Sequence, residues 1–358
     1  MSTIIVTGGG TGGHTCAGLS FCEIIKERKP DTKLLYIGSS TGLEKELVKT
    51  LDYVEFEEIR TGKFRRSFSL KNVSDFFSFI GGIFDARALI SEHNPSAVIS
   101  TGGYVCLPVV VAAYLSGIPV VAHEQTTIPG LSNKIAFKIA ENILLSYPDT
   151  KINKKNVKIT GNPVRLELEK KYIDFKNQSK NVGKPVLFVT GGANGASILN
   201  SFVIENIDWL ADNFIIYHQY GNHAENIEKY EEKLKNISRD NFFAQRFFSN
   251  EKLAEIYSNE PVLLGRAGAG TIADIINFRL VSVLIPLKNS AGGEQYSNAN
   301  MLASEGAAFI VNEEENNFSA IKQAVLNAFV QSKKVKEKIG KYPVWNRELV
   351  TKILDLYL

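Results

Sequence analysis

Cysteine, methionine and tryptophan are scarce in this chain: three, two and two among 358 residues. Cys16, Cys22 and Cys106 are odd in number, lie among apolar neighbours and lack any paired metal-ligand spacing. That argues against a disulfide framework and against structural zinc, and for reduced thiols in a cytosolic protein. No apolar run reaches the roughly 20 residues of a spanning helix, and the N-terminus enters a strand without a basic and then apolar leader. The expectation is a protein neither exported nor integral to a membrane. Charge of one sign is not in excess either, since 41 Lys+Arg stand against 38 Asp+Glu, and a net +3 implies no nucleic-acid footprint. An Asp-x-Asp metal motif is missing as well.

What is present is glycine in short bursts after apolar runs. A hydrophobic content of 44% with 22% charged residues describes an ordinary globular protein, and the length favours two domains. Apolar strand-like runs at 4–7, 33–37, 97–100, 119–122, 142–145 and 157–160 alternate with helical patterns, the signature of a parallel sheet covered on both faces. A second series runs through 186–190, 214–218, 262–264 and 281–285. Its opening, Val186 to Gly192, repeats the plan of Ile4 to Gly9, strand then Thr-Gly-Gly, as two similar α/β domains in tandem would. The polar stretch 166–184 reads as the interdomain connection, and 346–358 as a terminal helix after Pro343.

Ligands of open α/β sheets lie outside the carboxyl ends of the strands, so loops there are the candidate sites, and two such domains facing each other make a cleft. In the first half these are Gly8-Gly9-Gly10-Thr11-Gly12-Gly13-His14, then Thr101-Gly102-Gly103-Tyr104-Val105, then His123-Glu124-Gln125 through Gly130. A glycine turn opening a helix favours anions, and His14 adds a side chain that exchanges protons near neutrality. In the second half Gly191-Gly192-Ala193-Asn194-Gly195-Ala196-Ser197 repeats the arrangement, followed by Arg266 to Asp274 and Gly292 to Asn298, whose carboxylates and amides suit hydroxyl-rich ligands. Gly8-x-Gly10-x-x-Gly13 also satisfies a dinucleotide fingerprint, but no Asp or Glu closes the second strand at Gly38-Ser39-Ser40. A nucleotide enzyme that transfers a group fits better than one that moves a hydride.

Taken together, Gly9 to His14, Gly102-Gly103-Tyr104, His123-Glu124-Gln125, Gly161-Asn162-Pro163-Val164-Arg165, Gly191 to Ala196 and Glu294-Gln295-Tyr296-Ser297-Asn298-Ala299 resemble, in order and over nearly the whole chain, the MurG family. These are glycosyltransferases of family 28 that move N-acetylglucosamine from UDP-GlcNAc to lipid I in bacterial peptidoglycan synthesis. The resemblance implies a two-domain GT-B fold of Rossmann-like halves. Residues 1–163 would bind acceptor and membrane, 164–340 would bind UDP-GlcNAc, and 341–358 would cross back to the first domain. It implies inversion, with His14 as the base and Glu124 in reserve. Donor contacts fall on Thr11, Gly12, Gly13, Arg165, Gly192, Ala193, Asn194, Phe248, Asp274, Glu294, Gln295 and Asn298, and acceptor contacts on Gly10, Tyr104, Gln125 and Asn133. No metal and no cofactor is implied; the N–H groups of 191–196, the following helix dipole and Arg165 would meet the departing UDP. The chain departs from the family pattern at Ala17, Thr126, Ala193-Asn194 and Asp274, where the family has Pro, Asn, Ser-Gln and Glu.

A lipid-anchored acceptor places the enzyme on the cytoplasmic face of the bacterial plasma membrane, with cell-wall synthesis or division proteins as possible partners. Residues 63–89 offer the means, since Phe64, Phe68, Phe76, Phe77, Phe79, Ile80, Ile83 and Phe84 accompany Lys63, Arg65, Arg66 and Lys71, a mixture suited to an anionic inner leaflet. Arg60 joins that basic group, and Lys151, Lys154, Lys155 and Lys158 form another. Two rival readings stand beside this one. They are a UDP-GlcNAc epimerase of the same architecture, needing no lipid acceptor, and a noncatalytic membrane recruiter, against which the two glycine-rich donor loops count.

Overall fold

The computed structural model describes residues 2–42, 44–62, 71–150, 152, 154, 156–178, 183–222, 227–313 and 318–358. Chain order in the first half is β1 (Thr3–Thr7), α1 (Gly12–Arg28), β2 (Lys33–Ser39), α2 (Glu44–Val48), β3 (Val54–Ile59), α3 (Lys71–His93), β4 (Ala97–Ser100), α4 (Cys106–Leu115), β5 (Val120–Glu124), α5 (Leu131–Ile139), β6 (Asn142–Leu145) and β7 (Val157–Ile159). The second half continues with α6 (Leu166–Lys176), β8 (Val186–Thr190), α7 (Ser197–Glu205), α8 (Ile207–Asn213), β9 (Ile215–Gln219), α9 (Ile227–Lys235), β10 (Phe242–Gln245), α10 (Asn250–Ser258), β11 (Val262–Gly265), α11 (Ala269–Phe278), β12 (Val281–Leu284), α12 (Glu294–Ser304), β13 (Phe309–Ile310), α13 (Phe318–Val330) and α14 (Ser332–Ile339), before α15 (Arg347–Leu354). Two compact units result, Met1–Arg165 with Pro343–Leu358, and Leu166–Tyr342.

In the first unit seven parallel strands run in the order β3-β2-β1-β4-β5-β6-β7. Continuous Ile, Val and Leu runs make this possible, because helices cover both faces and leave Ile5, Val6, Leu35, Val98 and Val121 without exposed surface. The winding direction reverses between β1 and β4, whose register sets Thr7 beside Ser100. That switch point is where an α/β sheet presents its ligand crevice, and the loops leaving those two strands are the first two glycine loops. The terminal segment belongs here too. Trp345 packs edge-on against Phe21 and His123, and Arg28 forms a two-point ion pair with Asp355 on α15.

The second unit repeats the plan with six parallel strands in the order β10-β9-β8-β11-β12-β13, so its switch point lies between β8 and β11. Three strands escape a search for apolar runs: β3, a polar edge strand, β10, an edge strand of four residues, and β13, only two residues long. The stretch 166–184, read as a connection, is corrected in its first part. Residues 166–176 form α6, which packs along α10, with Leu168 fully buried and Tyr172 edge-on to Phe278 at 4.8 Å. Among the described residues no helix is long and apolar enough to cross a membrane.

Candidate functional site

The first unit gathers its candidate groups at the ends of β1, β4 and β5. Four glycines let the loops interlock. A Cβ on Gly8 would fall 1.9 Å from the Thr101 hydroxyl oxygen and one on Gly103 1.9 Å from the Gly9 carbonyl, while Gly10, at φ +81°, lies under the Tyr104 ring. Thr11 caps α1, its hydroxyl accepting from the His14 N–H, and its Oγ1 lies 2.8 Å from His14 Nδ1. Thr101 adds a hydrogen bond to the His14 carbonyl at 2.8 Å. The other ring nitrogen, Nε2, is turned toward Gly102, where an added Cβ would come within 3.1 Å of both His14 Nε2 and Asn133 Nδ2. Protein packed around the ring lowers the imidazole from 6.5 to about 4, although His14 keeps part of its accessible surface. The ring is therefore neutral at physiological pH. In the tautomer that donates Nδ1–H to Thr11 Oγ1, Nε2 is a proton acceptor.

Glu124 has a different environment. It is 2% exposed, its Oε1 accepts from the Thr126 N–H at 3.0 Å and the Thr126 hydroxyl at 2.8 Å, and its Oε2 accepts from the Gly130 N–H and from Asn133 Nδ2 at 2.8 Å. Burial raises its pKa, while those four donors pull it back down. A carboxyl group enclosed by four internal donors braces the loop. Asn133 is also buried; it donates to Glu124 and to the His123 carbonyl, and its Oδ1 has no partner among the described residues. Gln125 is 3% exposed and ties the Thr101 carbonyl to the rim, whereas Tyr104 is only half-buried. His123 is a core residue between Phe21 and Trp345, near the Gly161 carbonyl and the Ser146 hydroxyl, and its burial lowers the imidazole to about 4.

Three helix N-termini of the second unit follow strands near its switch point. The helices α7, α11 and α12 are preceded by Ala196, Gly268 and Gly293, none of which supplies a side-chain cap. Backbone N–H groups at such ends, with the positive end of the helix dipole, are suited to a diphosphate. The 191–196 loop is pinned by Gly192 N–H to Thr190 Oγ1 and by Asn222 N–H to the Ala193 carbonyl, which leaves Ala193 and Asn194 at an exposed tip. Gly195, at φ +76°, abuts the Tyr220 carbonyl. Asp274 lies in the second turn of α11, so it is not an N-terminal helix charge, and it accepts the Tyr257 hydroxyl at 2.9 Å. Glu294 opens α12, half-buried. Gln295 accepts the Leu287 N–H at 3.0 Å, and Asn298, 1% exposed, holds the Ala267 carbonyl. Phe248 is buried against Phe188 and Tyr217, and its N–H is taken by Gln219 Oε1. Arg165 is half-buried and ends the first unit.

Sequence reading missed the partner of one charged group and the whole of another. Arg266, 8% exposed, bonds the Ile285 carbonyl and Glu313, which in turn accepts the Lys288 N–H, so this pair ties together the loops leaving β11, β12 and β13. The other is Glu44, buried behind the first glycine loop and five residues beyond the end of β2. On the described part of α3, Phe76, Phe77 and Phe84 are 49%, 68% and 65% exposed, while Phe79, Ile80 and Ile83 are half-buried. Arg60 is engaged by Asp85 at 2.6 Å. Lys63, Phe64, Arg65, Arg66, Phe68, Lys151 and Lys155 lie outside the described residues, as does the Lys71 side chain.

Comparison with known proteins gives this geometry its setting. Residues 4–145 match the glycosyltransferase family 28 N-terminal domain and residues 186–348 the glycosyltransferase family 28 C-terminal domain. A UDP-N-acetylglucosamine--N-acetylmuramyl-(pentapeptide) pyrophosphoryl-undecaprenol N-acetylglucosamine transferase of Borreliella burgdorferi is 34% identical over 318 residues, 87% of this chain and 84% of the relative. Its namesake in Clostridium tetani is 35% identical over 322 residues, 87% and 86% of the two chains. Among solved structures, that of MurG from Acinetobacter baumannii is similar in fold, with a TM-score of 0.76 at 23% identity over 99% of this chain and all of that one.

Proposed function

The chain belongs to glycosyltransferase family 28, and from that membership we propose that it transfers N-acetylglucosamine from UDP-GlcNAc to the 4-hydroxyl of the N-acetylmuramyl group of lipid I, with inversion, giving lipid II. The observation that carries this is the presence of both family 28 domains in one chain, together with relatives of that named activity aligned over more than four fifths of it. The architecture is GT-B.

In this reading the acceptor hydroxyl lies at His14 Nε2. As oxygen attacks the anomeric carbon from the face opposite UDP, Nε2 takes its proton, which requires the tautomer in which Nδ1–H donates to Thr11 Oγ1, 2.8 Å away. Glu124 keeps the 126–130 loop closed behind Asn133. Tyr104 and Gly10 line the same rim, and Gln125 braces it. On the donor side the diphosphate is assigned to the N–H groups at 192–194 and the uncapped start of α7, with Arg165 and Thr11 to Gly13 as further contacts. Charge leaving with UDP is stabilised by fixed N–H dipoles and an arginine, and no metal is invoked. Asp274 is assigned to ribose and Glu294 to the sugar hydroxyls, with Gln295 and Asn298 shaping the wall and Phe248 behind the uracil.

A lipid-anchored acceptor further implies work at the cytoplasmic membrane face. The exposed phenylalanines of α3 support that reading, since isolated apolar side chains are common on surfaces but three on one helix are a patch. The test is incubation with UDP-GlcNAc and a lipid I analogue. Appearance of the disaccharide product is expected. Turnover of UDP-GlcNAc alone, without acceptor, would instead point to the epimerase reading.

A further inference from the structure

Glu44, the first residue of α2, has no exposed surface and lies directly behind the His14 loop. Its Oε1 accepts the Ser39 N–H at 3.0 Å and the Ser39 hydroxyl at 2.6 Å, and its Oε2 accepts the Gly10 N–H at 3.3 Å. Ser39 and Gly10 are its hydrogen-bond partners among the described residues, and no cation is among them. The chamber is shaped to the carboxyl group. A Cβ on Gly9 would come 2.7 Å from Glu44 Cδ, one on Gly38 2.8 Å from Cγ, and one on Gly42 2.1 Å from Oε1. An acid serving only the dipole of α2 would remain in water at the first turn, whereas this one is folded inward onto a neighbouring loop. Burying an acidic side chain without a cation is unfavourable, so the group needs another reason to be there.

Its contact points to that reason. Gly10 is held at φ +81° between the Glu44 carboxyl group and the Tyr104 ring, and the next residue, Thr11, both caps α1 and meets His14 Nδ1 at 2.8 Å. Gly9 N–H is meanwhile bound by the Gly102 carbonyl. The first half of the glycine loop is thus occupied by the protein itself, and what it fixes is the position of the Thr11–His14 pair. We propose that Glu44 is a positioning residue for the transfer reaction, which holds Gly10 from behind and so aims the His14 imidazole at the acceptor hydroxyl. This rests on the reading of His14 as the base.

The test is Glu44→Gln. Glutamine keeps an acceptor for the Ser39 pair but turns its NH2 toward the Gly10 N–H, donor against donor, so it releases the loop while leaving the strand end tied. In the full-length enzyme kcat is expected to fall about 10- to 100-fold, the scale of a misplaced reacting group, with any rise in KM for UDP-GlcNAc well below the loss in kcat, because the diphosphate is assigned mainly to the α7 loop and Thr11 to Gly13 add only further contacts. The acid limb of kcat/KM should also move upward from near 4 toward 6.5, because a released loop admits water to the His14 ring. Combined with His14→Ala, the substitution should add less than about twofold, since it acts through the imidazole. Ser39→Ala, a smaller perturbation of the same carboxyl group, should lose rate in the same direction and likewise add nothing to His14→Ala; it carries the test if the glutamine variant does not fold. Wild-type kcat in a folded Glu44→Gln enzyme, or a loss equally large on the His14→Ala background, overturns the proposal. Unchanged turnover in His14→Ala alone would overturn the base reading, and the proposal with it, whatever Glu44→Gln does.

Discussion

His14→Ala is the perturbation on which the mechanism depends most directly. A positioned general base contributes about 10²- to 10⁴-fold, and Brønsted behaviour favours a pKa near the working pH. With its imidazole lowered to about 4, His14 is always in the accepting form near neutrality but is a weak acceptor, which puts the expected loss toward the lower end. About 10²-fold in kcat corresponds to about 3 kcal/mol of barrier. The enclosed Glu124, its oxygens satisfied by four internal donors, cannot replace the lost base. UDP affinity should stay within about twofold, because the diphosphate is assigned to the α7 loop. The pH profile of kcat/KM is the sharper assay. At about pH 5 a group titrating at about 4 is still about nine-tenths neutral, whereas a histidine at its ordinary 6.5 is only a few per cent neutral. Activity attributable to His14 should therefore persist at about pH 5 and fall only as pH drops through 4. A limb near 6.5 that vanishes in His14→Ala would refute the burial argument. A loss of UDP binding equal to the loss of rate would refute the role of base.

Three further outcomes follow from other parts of the structure. Transfer should survive a chelator within about twofold, and a loss that added divalent cation restores would overturn the assignment of leaving-group charge to the α7 N-terminus and Arg165. Replacing Phe76, Phe77 and Phe84 together by Ser should weaken sedimentation with anionic vesicles by at least about tenfold while leaving thermal unfolding nearly unchanged, because these rings are exposed already; vesicle binding equal to the parent's would remove α3 from the membrane face. His218 is fully buried, its Nδ1 2.8 Å from the Tyr230 hydroxyl and its Nε2 3.2 Å from Asn200, and burial lowers it to about 3. Above 6.5 both folded and unfolded forms are neutral and nothing is lost; below it the unfolded chain protonates first, so stability falls as pH falls, by about 2 kcal/mol at pH 5. Denaturant titrations at about pH 7.5 and pH 5 should show this decline in the parent and less of it in His218→Asn, and equal declines would count against it.

The sheets were legible because parallel strands buried on both faces are continuous apolar runs, and Ile4 to Thr7 or Val262 to Leu264 cannot easily be anything else. Edge strands obey a weaker rule. Strand β3 carries Glu55, Glu57 and Glu58 because one side meets only solvent, and its pairing with β2 comes from the fold rather than from its own composition. Helix α6 was hidden for a related reason, since Leu168 is its one buried residue and Glu, Lys and Asp fill six of its other ten positions.

Within the candidate site the same distinction separates what sequence could tell from what it could not. Spacing placed His14 at the start of α1 and the glycines ahead of it, because strand, turn and helix fix those positions along the chain. Direction was not available. Glu124, Gln125 and Asn298 have the residue types of ligand contacts, yet each is turned into the protein, since a strand or helix end offers both an inner and an outer face and its neighbours in sequence do not say which is filled. Glu44 is the converse case. The space left by the glycines at 9, 38 and 42 is filled with a side chain of the chain's own, supplied by an acid five residues beyond the strand that lacked one. A glycine loop therefore specifies that something must approach the backbone closely, and only packing decides whether that is substrate or protein; here the Gly9 and Gly10 N–H groups are taken by Gly102 and Glu44, and the Thr11–His14 pair follows them at the start of α1.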